Sequence, residues 1–167
     1  MKNLLTLLIL VLSLVSCTSI STTTTETTLE SFEDLQQFVQ TKNFEFEADW
    51  ALPLGGNRIN LISNPNYLRL RGDSISTYLP YFGVRRSGFS NTSNTGIQIE
   101  GVYTDLKIKD EPSKNKIELN FDVKDESEFY SVHMIIYGNG RTSVSFNSIH
   151  RDYIQYEGNI ERYLDNK

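Results

Sequence analysis

The residues best suited to bind a ligand or partner lie between Tyr81 and Arg86, where two aromatic side chains are followed by two arginines. Guanidinium groups hold carboxylates and phosphates, and aromatic rings stack on sugars or bury against proteins. The stretch from Arg85 to Gly96 is polar and long, as loops that carry binding residues often are. We therefore predict a binding site at Tyr81, Phe82, Arg85 and Arg86 for a small ligand or an envelope protein. The alternative, which stays open, is an aromatic corner that closes the core before a loop.

Carboxylates are numerous, but their spacing does not pair two of them for acid–base catalysis. They follow outward strand positions and turns, as solvated side chains do: Asp105, Asp110, Glu111, Glu118, Asp122, Asp125, Glu126 and Glu128. A glycosidase needs two carboxyl groups about 5–9 Å apart in a cleft. The sequence also contains no Gly-x-Ser-x-Gly motif, phosphate loop or dinucleotide fingerprint. We predict no catalytic residues and no cofactor.

Metal ligands are equally sparse. His133 lies in a predicted strand and His150 near a turn, and neither has a cysteine or carboxylate at a metal-binding spacing. We predict no metal site. The triplet Arg71-Gly72-Asp73 spells an adhesion motif, but a hairpin turn requires glycine and aspartate for conformational reasons, and we interpret the triplet as a turn.

Composition limits the class of protein. The formal net charge of −5 is the opposite of the basic footprint that nucleic acid requires, so we predict no nucleic-acid partner. The length of 167 residues and a hydrophobic content of 38% suit one domain with its own core.

The N-terminus predicts secretion. Lys2 precedes an apolar run over residues 4–15, which suits a signal peptide but is shorter than the ~20 residues that span a bilayer. The run ends in Leu14-Val15-Ser16-Cys17, which resembles the bacterial lipoprotein box, and Cys17 is the only cysteine. The resemblance implies a signal peptide over 1–16 and acyl chains, palmitate among them, on Cys17. Several acyl chains anchor a protein stably where one does not.

Residues 17–28 comprise the cysteine and a predicted flexible tether, because serine and threonine offer too little apolar surface to order the chain. The membrane is therefore an expected partner through the N-terminal acyl chains. In the bacteria to which we expect this chain to belong, a cluster of acidic residues directly after the cysteine resembles a signal for export to the cell surface. No such cluster follows Cys17. We expect a location in the cell envelope, lipid-anchored to the outer membrane and facing the periplasm.

From residue 29 the pattern is helical. The apolar residues share one face: Phe32, Leu35, Phe38 and Val39. Acidic residues near the start and Lys42 at the end agree with the helix dipole, and Thr28 or Ser31 is the expected N-cap.

The rest of the chain alternates apolar and polar residues with the period of a half-buried strand. The predicted strands lie at 44–50, 58–62, in a hairpin within 65–83, and at 97–108, 117–123, 129–137, 142–146 and 152–160. The phase slips near Thr104-Asp105, which predicts a bulge or a kink. Gly138-Asn139-Gly140 predicts a tight hairpin turn.

One helix and about eight strands joined by short turns predict an α+β fold with antiparallel pairing, because parallel pairing needs long crossovers. We expect the helix to pack on a strongly curved, mostly antiparallel sheet of about eight strands. The sheet is either a partial barrel or a two-layer sandwich, within a single globular domain over 29–167.

A set of short sequence blocks carries a family resemblance. The blocks are Phe44-x-Phe46-x-Ala48-x-x-Ala51-x-Pro53, Asn60-Leu61, Tyr67-Leu68, Gly72-Asp73-Ser74, Tyr78-Leu79-Pro80-Tyr81-Phe82-Gly83, Gly138-Asn139-Gly140 and Tyr153-x-x-Tyr156-x-Gly158. Together they resemble the bacterial lipoprotein family catalogued as domain of unknown function 4251, over about Leu29 to Ile160. The resemblance implies secreted or lipid-anchored proteins of Bacteroidota-type bacteria, and it implies no established catalytic residue, cofactor or substrate.

Three hypotheses about function follow. The favoured one is a non-enzymatic, periplasmic, membrane-anchored lipoprotein domain that binds an envelope component. The alternative is a carrier that holds a small apolar ligand in a cavity enclosed by the sheet. A hydrolase of glycans or peptides is the least favoured. An interior packed with Phe46, Trp50, Phe121 and Tyr137 would argue against the carrier.

Overall fold

The structure is a computed structural model that describes residues 31–86, 96–125 and 128–163. The predicted signal peptide (1–16), the predicted lipidation site Cys17 and the predicted tether (17–28) lie outside the described residues.

The described residues form one α-helix, one short 3-10 helix and nine strands. Helix α1 spans Phe32–Gln40, and the 3-10 helix spans Pro112–Lys114. The strands are β1 (Asn43–Pro53), β2 (Ile59–Asn60), β3 (Tyr67–Arg71), β4 (Ser74–Pro80), β5 (Gly96–Glu111), β6 (Lys116–Lys124), β7 (Phe129–Tyr137), β8 (Arg141–Asn147) and β9 (Ile154–Arg162). The predicted order of one helix followed by strands is confirmed. Arg71-Gly72-Asp73 lies at the β3–β4 hairpin turn, where Gly72 has a positive φ of 59°.

The sheet closes into a barrel because the first strand pairs with the last. Strands β3 to β9 pair in chain order, and β1 pairs with both β3 and β9, always antiparallel. In the described part of the chain, eight strands therefore form a closed barrel, and β2 adds a short extra strand beside β1. The prediction of about eight curved antiparallel strands is confirmed. The barrel is complete, however, rather than a partial barrel or a sandwich, and the fold is mostly β rather than α+β.

Helix α1 lies at the end of the barrel where β1 begins. The Ser31 hydroxyl caps the helix by accepting a hydrogen bond from the Asp34 amide at 3.1 Å. The Gln36 side chain donates to Asp110 near the end of β5 at 2.6 Å. The apolar face is buried as predicted, at Leu35, Phe38 and Val39. We call this end of the barrel the helix end, and the opposite end, where β1 stops, the far end.

Alternate residues of the strands fill the barrel interior. Fully buried side chains include Phe44, Phe46, Leu68, Leu70, Ile97, Ile117, Leu119, Met134, Ile136, Val144 and Tyr156. Aromatic rings pack against each other there, since Phe146 meets Tyr130 and Tyr156 edge-on at 6.1 Å between ring centroids. Each strand thus contributes one apolar face, as the period of two predicts.

The four residues singled out as a test of the carrier hypothesis divide evenly. Phe46 and Phe121 are buried in the core. Trp50 is only half-buried, beneath the guanidinium of Arg58 at 4.3 Å, and Tyr137 is exposed.

Asn66 fills a gap beside β1, whose first half pairs with β3 and whose second half pairs with β2. The buried Asn66 amide accepts a hydrogen bond from Ala48 N at 2.8 Å and donates one to Ala48 O at 3.0 Å. A further bond to the Asn64 carbonyl holds its orientation. The side chain therefore satisfies the backbone groups that a neighbouring strand would otherwise satisfy.

A bulge in β1 lies opposite Gly158. The register between β1 and β9 shifts between Ala48 and Trp50, which leaves Asp49 as the extra residue. The β1 backbone approaches so closely here that a Cβ on Gly158 would lie 1.9 Å from the Glu47 carbonyl oxygen. The position requires glycine because the two backbones touch.

Strand β5 changes partner halfway along its sixteen residues. Residues 96–102 pair with β4, and residues from Tyr103 onwards pair with β6. Between Thr104 and Lys107 the register shifts, and Asp105 has a positive φ of 55°. The predicted phase slip is confirmed as a bulge within one strand.

We expect Asn66→Ala to lower the free energy of unfolding by about 2–5 kcal/mol, because it leaves two buried backbone groups of Ala48 without partners. Urea unfolding of the full chain measures the effect. Asn64→Ala is the matched control, since the exposed Asn64 contributes only its backbone carbonyl to the Asn66 bond. Equal losses in the two variants would contradict the assignment.

Candidate functional site

The segment 81–86 crosses the far end of the barrel and lies against the segment 148–153, which joins β8 to β9. The Arg86 amide donates to the His150 carbonyl at 2.9 Å, and the Asp152 amide donates to the Val84 carbonyl at 3.1 Å. An isolated bridge pairs Arg85 with Arg151 between these two bonds. Backbone hydrogen bonds therefore fix the predicted site residues to the end of the barrel.

Tyr81 anchors this segment. Its side chain is buried, and its hydroxyl donates towards the carbonyls of Val84 at 3.1 Å and Asp152 at 3.0 Å. The ring folds back over Gly83, where a Cβ would lie 2.5 Å from the tyrosine hydroxyl. Burial raises the pKa of Tyr81, so the phenol remains a neutral hydrogen-bond donor. The Tyr-Phe-Gly sequence thus forms a closed aromatic corner.

A buried ion pair lies beneath the aromatic corner. Glu128 is only 7% exposed, and its carboxylate accepts hydrogen bonds from Arg151 Nε at 2.8 Å, Tyr130 at 2.6 Å and Ser148 at 2.6 Å. Burial opposes ionisation of Glu128, but the donors from Ser148, Tyr130 and Arg151 outweigh it and lower the pKa of the carboxyl. Arg151 also donates to the Gly96 carbonyl at 3.1 Å. We call Glu128, Tyr130, Ser148 and Arg151 the far-end network.

Tyrosines surround the guanidinium of the far-end network. Arg151 lies 5.1 Å from the centroid of the Tyr81 ring and 5.8 Å from that of Tyr130. Tyr156, deeper in the barrel, donates to the Pro80 carbonyl at 2.7 Å. Burial raises the pKa values of both Tyr130 and Tyr156. These contacts attach β7, β9 and the end of β4 to one another.

The structure brings the four predicted site residues together but gives them different environments. Tyr81 is buried, and Phe82 is partly buried against the core. Arg85 and Arg86 are exposed: Arg85 reaches the Gly96 carbonyl at 3.5 Å, and Arg86 pairs with Asp152 at 3.6 Å. Their role in binding stays a prediction, which now concerns mainly the two arginines.

Sequence reasoning missed Glu128 and Arg151. The interpretation of Glu128 as a solvated carboxylate was wrong, because the fold buries it beside donors from the distant segment 148–153. Ser148 and Arg151 are 20 and 23 residues away along the chain, so no local spacing shows the contact. A glutamate immediately before a strand was the only available signal, and it does not distinguish a buried residue from an exposed one.

An exposed apolar surface borders the far-end network. Four side chains are largely accessible: Leu54 (68%), Val84 (65%), Ile149 (75%) and Tyr153 (39%). They lie on adjoining segments, since the Leu54 amide donates to the Tyr153 carbonyl at 3.2 Å and Val84 bonds to Asp152. We call these four residues the apolar rim. Exposed apolar side chains grouped on adjoining segments are a candidate interaction site.

The charged groups of the far-end network are engaged with one another. The Glu128 carboxylate is held by three donors, including a guanidinium, which lowers its basicity. Among the described residues, no group of three or more His, Cys, Asp and Glu side chains is placed to hold a metal ion. No helix in the described ranges is both long enough and apolar enough to cross a bilayer.

Comparison with known proteins identifies the family. The family described as "Domain of unknown function (DUF4251)" matches residues 26–160. The chain belongs to the DUF4251 family. No curated protein matches it. The crystal structure of a DUF4251 family protein from Bacteroides eggerthii DSM 20697 is similar, with a TM-score of 0.59 and 15% identity over 78% of this chain and 87% of that one. At this identity the likeness concerns the fold.

We expect Glu128→Gln in this DUF4251 chain to lower the free energy of unfolding by about 2–4 kcal/mol at pH 7, because the Arg151 guanidinium stays buried beside a neutral amide. Urea unfolding measures the change. Glu157→Gln is the control, because the exposed pair of Glu157 with Arg58 contributes at most about 1 kcal/mol. A loss no larger than that of the control would show that the network does not hold the far end.

The contribution of Glu128 to stability depends on pH in a defined direction. Its pKa is lowered in the fold from the ordinary value of 4.5, so its stabilisation is complete above pH 4.5 and is lost as the pH falls through the folded pKa. The stability difference between the wild type and Glu128→Gln should therefore be constant at neutral pH and shrink below pH 4.5. A difference that persists unchanged in strong acid would contradict this sign.

Proposed function

We propose that this chain is a non-enzymatic lipoprotein of the bacterial envelope, anchored to the outer membrane through Cys17 and facing the periplasm, whose barrel binds a partner protein. The signal-like run over residues 4–15 and the lipoprotein-box resemblance at Cys17 support the anchor. The apolar rim is the observation that supports binding. Catalysis has less support, because the most buried carboxylate in the described part of the chain, Glu128, is held by an arginine.

The position of the apolar rim suits a protein partner. The N-terminal segment enters the domain at the helix end, through α1, whereas the rim lies where β1 stops. β1 has eleven residues, or about 35 Å of strand, between these two ends. A domain attached through its N-terminus therefore presents the rim on the side remote from the attachment.

The charges beside the rim define the partner's chemistry. Arg85 and Arg86 directly follow Val84 and are exposed. Interfaces join an apolar centre to a polar border, and arginine is enriched in them. A partner with an apolar patch bordered by carboxylates complements this surface. The carrier alternative has weaker support, because Phe46, Phe121, Phe146 and Tyr156 occupy the barrel interior.

Crosslinking tests the rim. A photoreactive residue at Ile149 or Tyr153, in the full chain in its native host, should give a discrete protein adduct. The same residue at Tyr137, which is exposed at the β7–β8 turn, should not. With the partner purified, Ile149→Asp should weaken binding at least tenfold, and Arg85→Gln with Arg86→Gln should reduce its salt dependence. Equal adducts at Tyr137 and at the rim, or none at either, would reject the rim as the interface.

Lipidation is tested separately. Cys17→Ala should abolish labelling of the chain by a radiolabelled or clickable fatty acid and release the chain from the membrane fraction, because it removes the acylated thiol. Ser19→Ala, two residues further on, is the control and should leave both unchanged. Unchanged labelling of the cysteine variant would contradict the proposed anchor.

A further inference from the structure

A groove runs across the outer wall of the barrel where β3, β4 and β5 lie side by side. Its volume is about 390 Å³, within the range of small-molecule sites. Its lining side chains are Arg69 and Arg71 on β3, Ser74 and Ser76 on β4, and Glu100 and Val102 on β5. The groove is on a different surface from the apolar rim and does not depend on the function proposed for that rim.

Strand register arranges the lining side chains in two rows. One row is Arg69, Ser76 and Glu100, and the other is Arg71, Ser74 and Val102. Because neighbouring strands are about 4.8 Å apart, the β3 wall and the β5 wall are about 10 Å apart. The groove exists because short serines lie between two walls of longer side chains, and its width suits one sugar ring.

Neighbouring side chains hold the arginine wall in place. Arg69 donates through Nε to Glu45, and its guanidinium lies 3.8 Å from the centroid of the Tyr67 ring. Tyr163 lies 5.1 Å from the guanidinium of Arg69 and 5.3 Å from that of Arg71. A guanidinium ordered in this way loses less conformational entropy when it binds an oxyanion.

An aromatic pair lies just beyond one end of the groove. Tyr67 pairs with Tyr78 across β3 and β4, in the next row along from Arg69 and Ser76, and the two ring centroids are 6.2 Å apart. Tyr78 is exposed and pairs in turn with Gln98 on β5. An exposed tyrosine beside a row of polar side chains offers a stacking surface for the apolar face of a sugar.

We propose that this groove binds a sugar that carries an oxyanion, whether a carboxylate or a phosphate. The arginine wall pairs with the oxyanion through charge-assisted hydrogen bonds. Ser74, Ser76 and Glu100 hydrogen-bond to sugar hydroxyls, while Val102 and Tyr78 contact apolar faces. The opposite charges of the two walls favour a ligand with one anionic end and one neutral, hydroxylated end, because Glu100 repels a second negative charge.

Calorimetric titration of the full chain in detergent tests the groove with three probes: galacturonate, the neutral sugar galactose, and glucose 6-phosphate. We expect at least one anionic probe to bind and the neutral sugar to bind at least tenfold more weakly. Arg71→Gln should weaken binding at least tenfold through lost charge. Ser76→Gln should do the same by filling the groove, and unfolding midpoints check that both variants fold.

Arg141→Gln is the matched control, since Arg141 is an exposed arginine that pairs with Asp49 on another part of the barrel. It should leave the affinity unchanged. Binding of the uronate alone assigns the ligand to uronic acid sugars, and binding of the phosphate alone assigns it to sugar phosphates. The proposal is overturned if neither anionic probe binds up to about 10 mM, if the neutral sugar binds equally, or if neither groove variant weakens binding.

Discussion

The pairing of β1 with β9 is the contact on which the other features of this structure depend. It joins the first long strand of the domain to the last, and Gly158 opposite the Asp49 bulge makes the close approach of the two backbones possible. Closure converts an open sheet into a barrel with an inside, an outer wall and two ends. Helix α1 occupies one end, and the far-end network occupies the other. The two surfaces proposed for binding are what closure leaves accessible: the apolar rim and the outer wall.

Local features of the fold could be predicted from the sequence, because they depend on neighbouring residues. The period-two pattern predicted the positions of most strands, and the Gly-Asp pair predicted the β3–β4 turn. The phase slip at Thr104-Asp105 predicted the bulge in β5. Closure could not be predicted, since periodicity shows which face of a strand is apolar but not which distant strand pairs with it. The same limit applies to Asn66, whose amide replaces a strand beside Ala48. A buried asparagine of this kind resembles any other turn residue in the sequence.

The candidate site was predicted in part, for similar reasons. The aromatic and arginine residues from Tyr81 to Arg86 are close together in the sequence, so they could be predicted to lie near each other without knowledge of the fold. Tyr81 is buried over Gly83, as the aromatic-corner interpretation predicts. Arg85 and Arg86 are exposed, as the binding-site interpretation requires. Glu128 and Arg151 meet only through the fold. Exposed apolar residues such as Ile149 could not be recognised, because valine, leucine and isoleucine in a sequence are ordinarily assigned to the core.

Strand β5 makes the cost of local opening differ from one part of the barrel wall to another. Its first half pairs with β4 and its second half pairs with β6. Each half of β5 is therefore held in the sheet by one ladder of backbone hydrogen bonds rather than by two. Local opening costs least where the fewest hydrogen bonds and buried contacts must break. We therefore expect the wall to open most easily along β5, and the Gly96 carbonyl, which accepts a hydrogen bond from Arg151, lies at the far-end terminus of this strand.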